Sequence, residues 1–483
     1  MRKNKSESKR EREGRCVRAV STPVARPAAR PAARPAARQR WRRYGGAFLL
    51  VALVYASLAG IGGASTAGGR AAVSPVISPL RTVRVAAGPV AVADDEASGH
   101  VFVAAAGAHQ VDMLDARSGT MLHATTVPGS PLTLAADAAS GHVFALLSSG
   151  VPDRVSMLDA RTGLLLRTVP VGQRPFGIAL DAPDGRAFVT GFDDAVLSVL
   201  DTRSGAVLRT IPLYQAHATV VAADGRAGRV YVATTGGLDV LDARRGTVVA
   251  TRRVSPGALA IDEAAGRVYG AAGSGVAVLD ARQGTPLGEI AVAGLPGTLA
   301  LDARVGRLVA GGTGAVSVLD AHNDSVLRVV RGGGETIALA VDHHTGQALV
   351  VTARPLDGQG QGQGLTSAKE QGSGYRVRTL SSAHGRARAL WGRVALAAPL
   401  ARPGVEPGTG QQTAPLGRQG ADPGRGYVSV LDLATGTLRA TAPVGGTPAA
   451  VTVDERTGHV FVANLDDDTV SVLALRGEGQ TGY

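Results

Sequence analysis

From about residue 80 to the C-terminus, apolar and polar residues alternate in short runs, and aspartate and glycine cut those runs at regular intervals. The clearest run is Val276-Ala277-Val278-Leu279-Asp280, followed by Gly284. The same words recur ending in Asp115, Asp159, Asp201, Asp242, Asp320 and Asp432. A period of two, rich in β-branched residues and bounded by turn residues, predicts strands. Aspartate opening a turn can cap local backbone N–H groups, and glycine can close it at positive φ.

Each repeat holds four such runs. The first ends in another Asp-x-x-x-Gly turn, at Asp95, Asp137, Asp181, Asp224, Asp262, Asp302, Asp342 and Asp454. Successive first aspartates lie 42, 44, 43, 38, 40, 40 and then 112 residues apart. Four strands in about forty residues is the size of one propeller blade, so the fold class expected is all-β, a single β-propeller. There are eight sets of the first three strands, and a lone fourth strand, Thr82 to Ala86, precedes the first. Pairing that ribbon with the last three gives eight blades and removes the free sheet edges. If a terminal unit packs outside the ring, the count becomes seven.

The unit pattern resembles the YVTN-type (YncE-like) β-propeller repeat of bacterial surface and periplasmic proteins. The nearest match is Phe461-Val462-Ala463-Asn464, continued by Thr469-Val470-Ser471-Val472-Leu473. The sequence departs from that pattern in having leucine before the aspartate and Ala474 where the last aspartate would stand. The resemblance implies binding or scaffolding more often than catalysis.

Ahead of the repeats, residues 1–43 hold 15 of the Lys and Arg residues against 3 Glu, which accounts for the whole net charge of +12. Proline at every fourth position in Arg26-Pro27-Ala28-Ala29-Arg30 and its copies forbids a helix there. The expectation is a disordered basic cytoplasmic tail, able to meet anionic lipid. Residues 44–63 are apolar and uncharged, a transmembrane anchor or signal h-region, with membrane contact over 46–62. The charge bias puts the N-terminus inside and the propeller outside, or secreted if the segment is cut. Residues 64–80, rich in Gly, Ala, Ser and Pro, read as a flexible linker, and the propeller as 81–483.

The 112-residue interval comes from a low-complexity insertion, 354–425, between the second and third strands of the seventh unit. Long loops on rigid scaffolds carry function, and the partner-binding residues singled out there are Arg386, Arg388, Trp391 and Arg393.

Once the tail is removed, the chain is electrically neutral, which argues against nucleic acid as a partner. The one cysteine, Cys16, lies in the tail, so thiol-ligated zinc, iron–sulfur and haem attachment within the chain are excluded. No cofactor is expected. The fifteen repeat aspartates read as structural turns. His100, His142 and His459 share a slot with Arg186, Arg229, Arg267 and Arg307 and read as exposed strand starts. His343 and His344 are adjacent on a turn, without metal-ligand spacing. Asp466, Asp467 and Asp468 form a weak calcium candidate, against a solvated acidic loop. The function expected is a non-catalytic binding or scaffold module for a protein, peptide or cell-envelope ligand. The alternative is a propeller enzyme, lactonase-like or dehydrogenase-like, using residues gathered at a central funnel.

Overall fold

The computed structural model describes residues 76–148, 153–215, 217–356 and 425–476. The basic tail, the apolar segment 44–63 and residues 357–424 of the insertion lie outside the described residues. Among the described residues all regular structure is antiparallel β-strand. Among the described residues no helix is long and apolar enough to cross a membrane.

The strands form a propeller. Unit 1 is built from Pro89–Asp95, His100–Ala105, Gln110–Asp115 and Met121–Thr126, hydrogen-bonded in chain order. Units 2 to 5 repeat this plan up to Pro286–Ala291. First strands of neighbouring units lie against one another, so they form the inner wall, and fourth strands form the rim. Middle strands are buried on both faces and fourth strands on one: Leu197, Ser198, Val199 and Leu200 are all buried in Val196–Asp201, whereas only Ile211 is buried in Val207–Pro212. The middle strands are therefore nearly continuous hydrocarbon, while only the rim alternates strictly.

Hydrogen bonding groups the described strands into seven sheets, six of four strands and one of six. The six-stranded sheet arises because Arg307–Asp320 runs unbroken through the second and third strands of the sixth repeat, and Ser325–Asp342 runs from the fourth strand of the sixth into the first strand of the seventh. All eight repeats are in the ring nonetheless. One apolar cluster fills each junction between neighbours, and the cluster of Ala300, Val309, Val318, Leu339 and Val350 lies between the two joined units.

The ring closes through the N-terminal ribbon. Strand Val76–Arg84 pairs antiparallel with Thr469–Arg476, from Val76 opposite Arg476 to Arg84 opposite Thr469. This corrects the sequence expectation in two respects: the strand starts six residues before Thr82, and the linker gives way to it at Val76. Pro79 had argued for linker, but it sits at a register shift on the outermost strand, where a missing N–H costs no ladder bond. The insertion leaves the pairing of its flanks intact, with Thr352 opposite Tyr427.

The slot shared by histidine and arginine is a second correction. These side chains are half-buried and bond across to the next unit. His100 Nδ1 lies 2.9 Å from the Ala160 carbonyl, His142 Nδ1 2.8 Å from that of Thr202, and His459 Nδ1 2.9 Å from that of Ala116. Arg186, Arg229 and Arg267 donate to the carbonyls of Ala243, Arg282 and Ala321. Six junctions are clamped in this way. At the junction of units 6 and 7, Arg307 instead pairs within its own unit, 3.2 Å from Asp320, and the continuous sheet bridges the two units.

Turn chemistry follows one scheme. Asp115 Oδ1 accepts the Ser118 N–H at 2.6 Å, and Gly119 closes the turn at φ 65°. In unit 6 the closing residue is Asp324 at φ 57°, a conformation that aspartate tolerates better than most side chains. Arg267 of unit 5 holds its carboxylate at 2.7 Å.

Candidate functional site

Two places in the ring depart from the repeat in a way that gathers chemistry. The first is on the connector face of unit 3, where second-to-third loops and fourth-to-first connectors meet. Aligned on the first aspartate, the column holding Phe176 is otherwise Val90, Leu132, Thr219, Gly257, Gly297, Ile337 and Ala449. Phe192 stands in the loop after Arg186–Gly191, where unit 1 has Ala106 and unit 5 has Gly273. The fold brings the two rings to 5.7 Å between centroids.

The backbone fixes them. The Phe192 N–H donates to the Arg174 carbonyl at 3.0 Å, and the Phe192 carbonyl accepts the His217 N–H at 2.9 Å. Asp153 and Asp194 cap the connector by accepting the N–H groups of Arg174 and Gln173, at 2.7 and 2.8 Å. Close approach of loop and connector needs Gly191, since a Cβ there would stand 2.2 Å from Asp194 Oδ1. Above this frame the Arg174 guanidinium stacks 4.5 Å from the Phe192 centroid, and the His217 ring lies 4.6 Å from it on centroids. Arg174 also meets Asp193 at 3.0 Å, a pair too exposed to add much stability. Tyr214, on the following connector, is 77% exposed. Among the described residues Phe102, Phe144, Phe188 and Phe461 are fully buried, while Phe176 and Phe192 are only half so. Aromatic faces with an arginine above them are the usual contents of a binding hot spot.

The second place is the inner end of the turn face. His343 Nδ1 lies 3.4 Å from Asp302 Oδ1 of the preceding unit, whose side chain is wholly buried. The His343 backbone N–H donates to Glu455 Oε1 of the following unit at 2.9 Å. Burial opposes charge on His343, but the Asp302 contact and the Glu455 carboxylate together raise its pKa above the ordinary histidine value. Burial acts to raise Asp302, and the His343 and Arg304 side chains outweigh it, leaving the carboxyl below its usual range. Glu96, against Glu455, is pushed up by burial and by that like charge. Histidine backed by a buried carboxylate can accept and return a proton. Adjacency of His343 and His344 in the sequence gives no sign of this, because the partner of His343, Asp302, belongs to the preceding unit.

Other residues singled out from sequence fall elsewhere. Arg386, Arg388, Trp391 and Arg393 lie outside the described residues. Asp466 Oδ2 accepts the Thr447 hydroxyl at 2.5 Å, Asp467 Oδ2 the Gly446 N–H at 2.6 Å, and Asp468 Oδ1 the Gly88 N–H at 2.8 Å. These carboxylates serve connectors. Among the described residues no group of three or more His, Cys, Asp or Glu is arranged to hold a metal ion. First-strand aspartates cap their turns, as Asp224 Oδ1 does for the Ala227 N–H at 2.7 Å and Asp454 Oδ1 for that of Thr457 at 2.8 Å.

Comparison with known proteins agrees on architecture alone. No family model matches the chain, and no curated protein matches it in sequence. Among solved structures it is similar to the crystal structure of the computationally designed Ika8 protein. That match has a TM-score of 0.56 at 15% identity and covers 83% of this chain and 99% of that one. At that identity the likeness carries the fold and nothing about ligand or activity, so the chain is established as an all-β propeller.

Proposed function

We propose that this protein is a non-catalytic binding or scaffold module of the YVTN (YncE-like) kind, which takes a protein, peptide or cell-envelope ligand on the connector face of unit 3. The observation that carries this reading is the meeting of Phe176, Phe192, His217 and Arg174 on that face, the two phenylalanines standing at columns where the other units place small or aliphatic residues. The apolar segment 44–63 would hold the propeller outside the membrane, with the basic tail against anionic lipid inside. The insertion 354–425 leaves from the same connector face, so Trp391 and its neighbouring arginines would add contacts there. A photo-crosslinking residue at Tyr214 tests the site in cells expressing the protein. A discrete adduct is expected, and Phe192→Ala should weaken it about thirtyfold, as truncation of a hot-spot aromatic costs about 2 kcal/mol or more. Adducts of equal yield with and without Phe192 would remove the site.

A second reading has its own observation, the Asp302–His343 pair flanked by Glu455. It fits a hydrolase in which His343 activates water for attack on an ester or lactone, with Asp302 holding the imidazole.

A further inference from the structure

Ring closure puts one carboxylate where the repeat otherwise puts hydrocarbon. The residue before each first-strand aspartate is Ala136, Leu180, Ala223, Ile261, Leu301, Val341 or Val453, and in unit 1 it is Asp94. Leu180, Ile261, Leu301 and Val341 pack into the apolar clusters between units. Asp94 takes the same place at the seam between units 8 and 1, the junction that closes the wheel. Beside it runs the apolar cluster of Val92, Val101, Val103, Phe461, Val470 and Val472.

Across the seam the Thr452 hydroxyl donates to Asp94 Oδ1. The other charges facing Asp94 are mostly of its own sign. Asp95 and Glu96 come from its own turn, and unit 8 presents Asp454, Glu455 and Arg456. Arg456 spends its charge on Asp454, 3.7 Å away. The Glu455 N–H donates to the Glu96 carboxylate, and His343 beyond it is committed to Asp302 and Glu455. Asp95 Oδ1 and Asp454 Oδ2 are buried with no hydrogen-bond partner. Among the described residues the seam therefore has no cation free to neutralise Asp94.

We propose that the seam between units 8 and 1 is a proton-operated latch: protonated Asp94 keeps the two inner strands together, and loss of its proton loosens them. Asp94 is half-buried at the seam, and desolvation there pushes its carboxyl up to about 7, against the pull of the Thr452 hydrogen bond and with help from Glu96 and Asp454. A carboxyl raised in the folded state contributes stability that is fully present below its ordinary value of 3.8 and is lost as pH rises through about 7. For a seam opening that returns Asp94 to its ordinary value, linkage makes the open population grow about tenfold from pH 6 to pH 8. Strand Val76–Arg84 stays hydrogen-bonded to Thr469–Arg476 throughout, so the latch opens between unit faces and leaves the ribbon in place.

Hydrogen–deuterium exchange of the full-length protein at pH 6, 7 and 8, corrected for intrinsic exchange rates, tests the latch. Peptides covering 89–95 and 448–454 should lose protection about tenfold over that range. Peptides covering 221–224 and 258–262, at a seam that carries Ala223 and Ile261, should not. Asp94→Asn, which keeps the shape, and Asp94→Leu, which installs the residue that units 3 and 6 carry, should both abolish the pH dependence. Two outcomes overturn the proposal: a seam whose protection does not change with pH in the native protein, and a slope that survives in Asp94→Leu.

Discussion

The clamp between units 5 and 6 makes a quantitative test of how neighbouring units are held. Two donors share one acceptor there. Arg267 Nη1 and the Tyr269 hydroxyl both reach the Ala321 carbonyl at 2.9 Å, and Arg267 also holds Asp324 at 2.7 Å. Tyr269 is fully buried. Tyr269→Phe deletes one neutral bond while Arg267 still satisfies the carbonyl, a cost of about 0.5–1.5 kcal/mol. Arg267→Ala removes the charge-assisted bonds and strands Asp324 in its left-handed turn, at about 1.5–3 kcal/mol. In the double variant the carbonyl loses both partners, and an unsatisfied buried acceptor adds about 1–3 kcal/mol of its own. The two changes should therefore be more than additive, by about 1 kcal/mol or more. Urea denaturation of the purified protein at pH 7 measures the sum, and exchange at the unit 6 amides confirms that the loss is local, since a ring of many units need not unfold in one step. Arg307→Ala, at the junction joined by a continuous sheet, is the control and should cost under about 1 kcal/mol. A double variant equal to the sum of the singles would show that the shared carbonyl is not the linchpin.

Two further outcomes bear on the turn face. The coupling between Asp302 and His343, measured by a double-mutant cycle with Asp302→Asn and His343→Gln, should be larger at pH 5.5 than at pH 8.5. The raised His343 contributes below the ordinary histidine value and loses its contribution as pH rises through the folded one, whereas the lowered Asp302 contributes above the ordinary carboxylate value and fails only in acid. Coupling that does not vary with pH would mean that the contact is not an ion pair. If the hydrolase reading holds, a panel of esters and lactones should show turnover that His343→Gln lowers at least a hundredfold, and no turnover by the native protein would retire it.

The difference between what was legible in the sequence and what was not follows the range of the interactions involved. The strands, their turns and the forty-residue unit are local. Alternation in Val276 to Leu279, the aspartate that caps and the glycine that takes positive φ act within a few residues, so each repeat states them anew. Closure of the ring by an N-terminal ribbon was legible too, because a count of strands leaves one over. The start of that ribbon was not, since Pro79 is forbidden in an inner strand and harmless at the rim, and only the assembled sheet says which it is. The joining of units 6 and 7 into one sheet likewise depends on bends that the neighbouring unit supports.

Contacts between units are where sequence reasoning stops. His100 reads as an exposed strand start until the carbonyl of Ala160, sixty residues on, stands beside it. Phe176 and Phe192 are two unremarkable strand and loop residues until the connector folds one over the other, although comparing the repeats column by column would have marked both as exceptions. Asp302 and His343, or Asp94 and Thr452, belong to different units and share no local pattern. The sequence by itself determined the wedge, because hydrogen-bond ladders and turns are paid for by neighbours along the chain. Tertiary structure alone decided the seams, because burial and charge there depend on which unit packs against which.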